Sequence, residues 1–160
     1  MTKTNVMRLL EAAGIPYEAR TYEVDENDLS GEGTAVKIGL PPERLFKTLA
    51  LKGEKNGLFI CCIPCHEAID LRKAARAAGE KKAEMLPMKE LLPATGYIRG
   101  GVSPIGLKRK YPIFLEEAAL LFDEIAVSAG MRGAMVLLRP EALIDYVGAQ
   151  VCDLCDLSPQ

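Results

Sequence analysis

The 160-residue chain contains no tryptophan and only one histidine, and aromatic residues make up just 6% of it. This scarcity predicts a core built mainly from aliphatic side chains. No apolar run approaches the ~18 residues that a membrane-spanning helix requires. The N-terminal segment carries charges within its apolar pattern, which is not typical of a secretory signal. We therefore expect a cytoplasmic protein, without a membrane partner, whose five cysteines stay reduced.

Net charge is also scarce, because 20 basic and 22 acidic residues leave only −2 at pH 7. Such a balance excludes a general attraction of the whole surface for nucleic acid, and we expect no DNA partner. A local patch remains available, since residues 99–110 include Arg99, Lys108, Arg109 and Lys110 and no acid. This patch could contact phosphates, although a basic run is also typical of an ordinary solvated face.

Hydrophobic periodicity predicts short helices separated by strands. The predicted helices cover 6–13, 34–38, 70–78, 85–92 and 140–147, and the predicted strands cover 17–24, 45–52, 58–63, 111–115, 124–128 and 133–138. An acidic segment, 23–32, is expected to form a solvated loop. Because no linker or repeat interrupts the pattern, we predict one α+β domain over residues 1–160. Its architecture would be a mixed, partly closed curved β-sheet or barrel surrounded by short helices.

Lys47 shares one face of its predicted strand with leucines, at Leu45, Leu49 and Leu51. An ammonium group on an apolar face is costly unless it is paired or used in function. Lys47 could therefore hold a phosphate or stabilise negative charge near a carbonyl. A lysine that extends its charged end to solvent from an edge strand explains the pattern as well.

Two glycine-containing segments are candidates for backbone-mediated binding. Four of the eleven residues in segment 96–106 are glycine, so the free amides of this segment could bind a phosphate or an oxyanion. Its spacing matches neither the phosphate-loop motif nor the dinucleotide-binding motif. Ser128–Gly133 is a short turn between two strands that could place Ser128 and the Gly130 amide in a cleft. Structural turns explain both segments equally well.

Cysteine spacing suggests several chemistries that the rest of the sequence does not support. Cys62-Ile-Pro-Cys65-His66 matches the haem-attachment pattern, but no export signal accompanies it. Together with Cys152 and Cys155 it could form a zinc site, although the two pairs lie much farther apart than zinc-knuckle spacing. We expect buried, reduced cysteines that act as small apolar residues, and no metal or cofactor.

The single histidine, His66, limits the catalytic devices that the chain can contain. A Ser-His-Asp or Cys-His arrangement would have to use this residue, and we expect it in a loop or at the surface. No paired carboxylates stand out either. If the protein is an enzyme, it therefore works by positioning and electrostatics, and the substrate supplies the reactivity.

Three motifs in order resemble those of the bacterial YbaK-like aminoacyl-tRNA deacylases, relatives of the editing domain of bacterial prolyl-tRNA synthetase. They are Phe46-Lys47-Thr48-Leu49, Thr95-Gly-Tyr-x-x-Gly-Gly-x-Ser-Pro-x-Gly106 and Ser128-x-Gly-x-Arg-Gly133. The resemblance covers nearly the whole chain. It implies an α+β fold and a trans-acting hydrolase that removes the amino acid from a mischarged tRNA, most typically Cys-tRNA(Pro). In cysteine-specific members the substrate thiol is thought to attack its own ester. Relatives acting on Ala-tRNA(Pro) instead position water.

The resemblance also implies roles for individual residues. Lys47 would hold the phosphate region of the terminal adenosine and orient the ester, while Gly100 and Gly101 would line the ester site and present their amides. The basic residues of 99–110 would contact the acceptor stem. The aminoacyl pocket and its substrate contacts would be formed by Tyr22, Phe46, Thr48, Ser103, Ser128 and Gly130.

Two departures from the family pattern leave the amino-acid specificity open. Segment 62–67 is unusually rich in cysteine and histidine, and Met135 is apolar where a polar residue would be unsurprising. A non-catalytic module that binds tRNA or prolyl-tRNA synthetase remains an alternative, and so does a metal-binding protein built on the two cysteine pairs. Deacylation, binding without deacylation, and metal content distinguish these hypotheses.

Overall fold

The helices of this protein are short, and polar side chains cap three of their N-termini. In the structure, a computed structural model that describes residues 2–157, the helices are α1 (Asn5–Ala12), α2 (Gly31–Ile38), α3 (Leu71–Ala77), α4 (Met88–Thr95) and α5 (Pro140–Val147). Thr4, Ser30 and Asp70 accept hydrogen bonds from backbone amides at the starts of α1, α2 and α3. No helix in residues 2–157 is long and apolar enough to cross a bilayer.

Ten strands form three separate sheets in the described residues. They are β1 (Glu18–Thr21), β2 (Phe46–Gly53), β3 (Gly57–Pro64), β4 (Ala68–Ile69), β5 (Ala83–Met85), β6 (Ile113–Glu116), β7 (Ile125–Met131), β8 (Ala134–Leu138), β9 (Gln150–Cys152) and β10 (Cys155–Asp156). The five-stranded sheet has the order β5-β2-β3-β6-β9, with β6 parallel to both of its neighbours. The three-stranded sheet, β1-β8-β7, is antiparallel, and β10 pairs with β4.

A shared apolar core joins the two larger sheets. Helix α1 contributes Val6, Met7 and Leu10 to this core, and all three side chains are almost completely buried. The same cluster contains Phe46 from β2 and Val127 from β7. Burying aliphatic side chains of this size contributes about 1.5–3 kcal/mol each. The sheets are therefore held together chiefly by aliphatic packing.

The predicted α+β class and the mixed sheet are confirmed, and no sheet within residues 2–157 closes on itself. The single helix predicted over 85–92 is wrong at its start, because residues 83–85 form β5 and the helix covers 88–95. Pro87 separates the two elements, as a proline disfavours helical geometry in the residue before it. Helix α2 begins at Gly31, inside the segment predicted as a loop. Ser30 caps it there, accepting a hydrogen bond from the Gly33 amide.

Truncating a leucine of α1 should reveal how much stability this core provides. Leu10 is completely buried and Leu121 is 80% exposed. We expect Leu10→Ala to lower the free energy of unfolding by about 2–5 kcal/mol, because it removes buried methyl groups and leaves a cavity. The same substitution at Leu121 should cost less than about 0.5 kcal/mol. Urea unfolding followed by circular dichroism measures both, and equal midpoints would contradict the assignment of α1 to the core.

Candidate active site

A cavity of about 600 Å³ opens between β2 and the β7–β8 hairpin. On the side of β2 that faces away from β3, the first half of the strand has no ladder partner, because β5 pairs with β2 only at 51–53. On the same part of the chain, the residue before β2 is tied to β7 by the isolated bridge Leu45–Ala126. The starts of α2 and α4 border the remaining opening. Its volume is that of a typical small-molecule site.

Seven of the thirteen predicted site residues line this one cavity, although they come from four distant parts of the chain. They are Tyr22, Phe46, Lys47, Thr48, Arg99, Gly100 and Ser128. The remaining candidates, Gly101, Ser103, Gly130, Lys108, Arg109 and Lys110, lie outside its lining. The structure therefore brings Lys47 and Gly100 to the same cavity, as the resemblance to the family implies. The other six candidates do not line it.

The cavity carries more positive than negative charge. Among the described residues that line it, Lys47 and Arg99 are the cations and Glu32 is the acid. The Lys47 ammonium takes part in none of the ion pairs or side-chain hydrogen bonds formed within residues 2–157. Lys47 is half-buried, and no acidic side chain in the described residues forms an ion pair that would neutralise its charge. A ligand with negative charge, or one that develops it, would satisfy this group.

The glycine motif contributes a tight turn at Ile98–Gly101. The Gly101 amide donates to the Ile98 carbonyl oxygen at 2.9 Å. Gly100 has φ +86°, while Arg99, like every described non-glycine residue, avoids positive φ. This combination is a type II turn, which requires glycine at its third position. Within residues 2–157 the Gly100 amide has no hydrogen-bond partner, and Gly100 lines the cavity.

Gly101 departs from the prediction that both glycines offer free amides. Its N–H is already used in the turn, and the residue is buried. A Cβ atom at this position would lie 3.1 Å from backbone atoms of Met131. A side chain here would crowd the hairpin backbone, and glycine lets the turn pack directly against it.

Ser103 and Gly130 also have local structural surroundings. Ser103 is fully buried, and its hydroxyl oxygen accepts from the Ile105 amide at 3.2 Å. Gly130, at φ +91°, packs so closely that a Cβ would lie 3.0 Å from side-chain atoms of Val6 and Tyr97. The basic residues 108–110 are exposed, where a large external ligand can reach them.

The hydroxyls and the thiol of the cavity are poorly suited to act as nucleophiles. Ser128 is 7% exposed and its oxygen accepts from the Gly130 amide at 3.1 Å. Thr48 contacts the Cys62 thiol, with 3.7 Å between oxygen and sulfur. Burial raises the pKa of the Cys65 thiol to about 11, an effect that Glu32 increases and Lys47 opposes. None of these groups has a histidine base, because His66 lies outside the lining.

The cysteine pairs do not form a metal site in the described part of the chain. Cys62 belongs to the core cluster between the two large sheets, and Cys65 to a second cluster beside α2. Cys152 and Cys155 belong to a third cluster, beside α3. No group of three or more potential ligands comes together within residues 2–157. All five thiols are free.

Sequence reasoning missed the walls that α2 and the β5–α4 segment add. The sequence predicts that Glu32 lies in a solvated loop, yet it lines the cavity, as do Met85, Met88 and Leu91. Hydrophobic periodicity marks residues that face a core and does not indicate which apolar residues face an open cleft. Only the capping pattern at Ser30 could have shown that this segment is ordered.

These features define an α+β domain whose cleft, with two cations and a free turn amide, suits an anionic ligand. The chain belongs to the family described as "Aminoacyl-tRNA editing domain", which it matches over residues 29–146. The predicted family relationship is thereby confirmed.

Relatives along nearly the whole chain agree with this assignment. The protein is 43% identical over 152 residues to "Putative Cys-tRNA(Pro)/Cys-tRNA(Cys) deacylase EbsC" of Enterococcus faecalis, covering 95% of this chain and 93% of the relative. It is 28% identical to "Uncharacterized protein YwhH" of Bacillus subtilis, covering 83% and 85%. A crystal structure of "a putative trans-editing enzyme for prolyl tRNA synthetase" matches with TM-score 0.82 and 26% identity, covering 98% and 99%.

The thiol environments predict an order of chemical labelling. Cys152 is half-buried, whereas the other four cysteines are buried. Burial raises the pKa of both Cys152 and Cys65 to about 11, so little thiolate exists at neutral pH. We expect iodoacetamide to modify Cys152 first and the buried thiols only on unfolding, with faster labelling of Cys152 as pH rises. Peptide mass mapping over time measures this, and early modification of Cys62 would contradict the buried placement.

Proposed function

We propose that this protein hydrolyses the ester bond of mischarged aminoacyl-tRNA in trans, with Cys-tRNA(Pro) as its main substrate. The observation that carries the proposal is the cavity that joins Lys47 to the free Gly100 amide in a member of the editing family. The relative from Enterococcus faecalis, named for Cys-tRNA(Pro) and Cys-tRNA(Cys), supports the choice of substrate.

The charge of the site supports an aminoacylated RNA end as the ligand. Lys47 and Arg99 would contact the phosphate region of the terminal nucleotide. The exposed basic residues at Lys108, Arg109 and Lys110 would contact the acceptor stem. The apolar side chain of Phe46, with Tyr22 and neighbouring residues, would surround the amino acid.

In the reaction, Lys47 and the Gly100 amide would stabilise the negative charge that develops on the ester oxygens. Such charge is expensive in a partly desolvated cleft, so a cation and a preoriented N–H that need no reorganisation lower the barrier. Gly101 would act indirectly, by keeping the turn in place. Ser128 and Thr48, whose hydroxyls already have partners, would shape the pocket without forming a bond to the substrate.

The nucleophile would come from the substrate itself. The cysteinyl thiolate attacks the ester carbonyl carbon, a carbon–sulfur bond forms, and the carbon–oxygen bond to the ribose breaks. The departing ribose oxygen takes a proton from water, and water then opens the resulting thiolactone to free cysteine. This route needs no protein base, in keeping with a cavity whose described lining contains no histidine.

We further propose that prolyl-tRNA synthetase is a partner and that the reaction takes place in the cytoplasm. A matched structure named for trans-editing with that synthetase supports the partner, and the relative named for Cys-tRNA, a substrate of translation, supports the location. A partner that binds the tRNA would distinguish tRNA(Pro) from other tRNAs. A small cleft that contacts only the aminoacyl end does not make this distinction.

Removing the Lys47 ammonium should abolish most of the activity. We expect Lys47→Ala to lower kcat/KM for Cys-tRNA(Pro) by about 10²–10³-fold, since it deletes one stabiliser of developing charge. Release of labelled cysteine measures the rate. Lys52→Ala is the matched control, because Lys52 is on the same strand but pairs with Glu84, 3.7 Å away. Equal activity of the two variants would contradict the role of Lys47.

Attack by the substrate thiol predicts a specific pH and substrate dependence. Below the ordinary thiol pKa of ~8.5 the thiolate fraction rises tenfold per pH unit. The single-turnover rate with Cys-tRNA(Pro) should therefore rise about tenfold from pH 6 to pH 7. S-methylcysteinyl-tRNA(Pro), which has no free thiol, should react at least about tenfold more slowly. Equal rates, or faster removal of alanine from Ala-tRNA(Pro), would show that the site positions water instead.

A further inference from the structure

Arg132 occupies the tip of the β7–β8 hairpin and reaches across to the glycine turn. Its Nε–H donates to the carbonyl oxygen of Arg99 at 2.8 Å. The guanidinium forms no ion pair with a carboxylate in the described residues. The one hydrogen bond that Arg132 makes to a separate segment therefore holds the second residue of the Ile98–Gly101 turn.

The same side chain also covers the third residue of the turn. A Cβ atom built on Gly100 would lie 3.3 Å from Nε and 3.4 Å from Cγ of Arg132. On the other side of the turn, Gly101 packs against the backbone of Met131 and Arg132. The turn is therefore fixed to the hairpin at three consecutive residues, and its middle amide, that of Gly100, is left unpaired within residues 2–157.

We propose that Arg132 is a positioning residue, which aims the Gly100 amide into the cavity by donating its Nε–H to the Arg99 carbonyl. It acts through this donor rather than through its charge. The inference rests on the proposed function, because it assigns a supporting group to the same oxyanion-binding amide. An error of about 1 Å in the placement of such a donor can cost about 10²-fold in rate.

Two substitutions separate the donor from the charge. Lysine keeps the positive charge but has a methylene group at the chain position of the arginine Nε. Glutamine has its amide nitrogen at that chain position and carries no charge. We therefore compare Arg132→Lys with Arg132→Gln, and use Arg139→Lys as a control, since Arg139 is exposed at the other end of β8 and its side chain contacts Glu141.

With single-turnover deacylation of Cys-tRNA(Pro), we expect Arg132→Lys to lower the maximal rate by about tenfold to hundredfold with little change in the half-saturating enzyme concentration. Arg132→Gln should keep the rate within about threefold, and Arg139→Lys should behave as the unmodified protein. The reverse result is an active Arg132→Lys together with an Arg132→Gln that needs a higher half-saturating enzyme concentration. It would show that the charge of Arg132 contacts a phosphate of the tRNA, and it would overturn the proposal. Equal losses in both variants would overturn it as well.

Amide hydrogen exchange provides a second readout that does not depend on activity. Because the Gly101 N–H is bonded within the turn, its exchange should be several-fold faster in Arg132→Lys and unchanged in Arg132→Gln. If the unmodified protein deacylates no aminoacyl-tRNA, the proposed function fails. The exchange measurement still tests whether Arg132 holds the Ile98–Gly101 turn in place. Unchanged Gly101 exchange in both variants would refute the positioning role whatever the activity.

Discussion

The β7–β8 hairpin is the constraint on which the rest of the site depends. At its tip, the Gly133 carbonyl accepts from the Tyr22 amide at 2.9 Å, and the neighbouring Arg132 binds the Arg99 carbonyl. The hairpin therefore places two walls of the cavity, one from the segment after β1 and one from the glycine turn. Its own strand, β7, forms a bridge from Ala126 to Leu45, the residue before β2 and two residues before Lys47. Three segments far apart in sequence meet because one hairpin holds all of them.

The cavity exists because strand pairing is incomplete. β2 has β3 along its full length but β5 only at its C-terminal end, so the first half of β2 lies at a free edge. A free edge is normally a liability that proteins cover. Here α2, α4 and the glycine turn border it without sealing it. An unneutralised ammonium, Lys47, is left in a partly desolvated space, where electrostatic interactions are stronger than in water.

Such a site fits chemistry in which the protein supplies position and charge rather than a nucleophile. The Cys62 and Cys65 thiols have raised pKa values through burial, and the hydroxyls of Ser128 and Thr48 have hydrogen-bond partners. What remains available in the described lining includes two cations, Lys47 and Arg99, and the Gly100 amide. The chain belongs to the editing-domain family, and the relative from Enterococcus faecalis is named for Cys-tRNA, an ester whose amino acid carries a thiol. The described lining contains no histidine that could act as a base.

The sequence by itself determined most of the local elements and pointed to the candidate groups of the site. Caps, glycines and alternation located most helices and strands, including α5 at Pro140–Val147, and the motifs led to Lys47 and Gly100. Only the tertiary structure decided that the Gly101 amide is consumed within the turn, that Glu32 faces the cavity, and that Arg132 holds the turn. Periodicity and propensity act over a few neighbouring residues, whereas these three facts depend on contacts between segments that are distant along the chain.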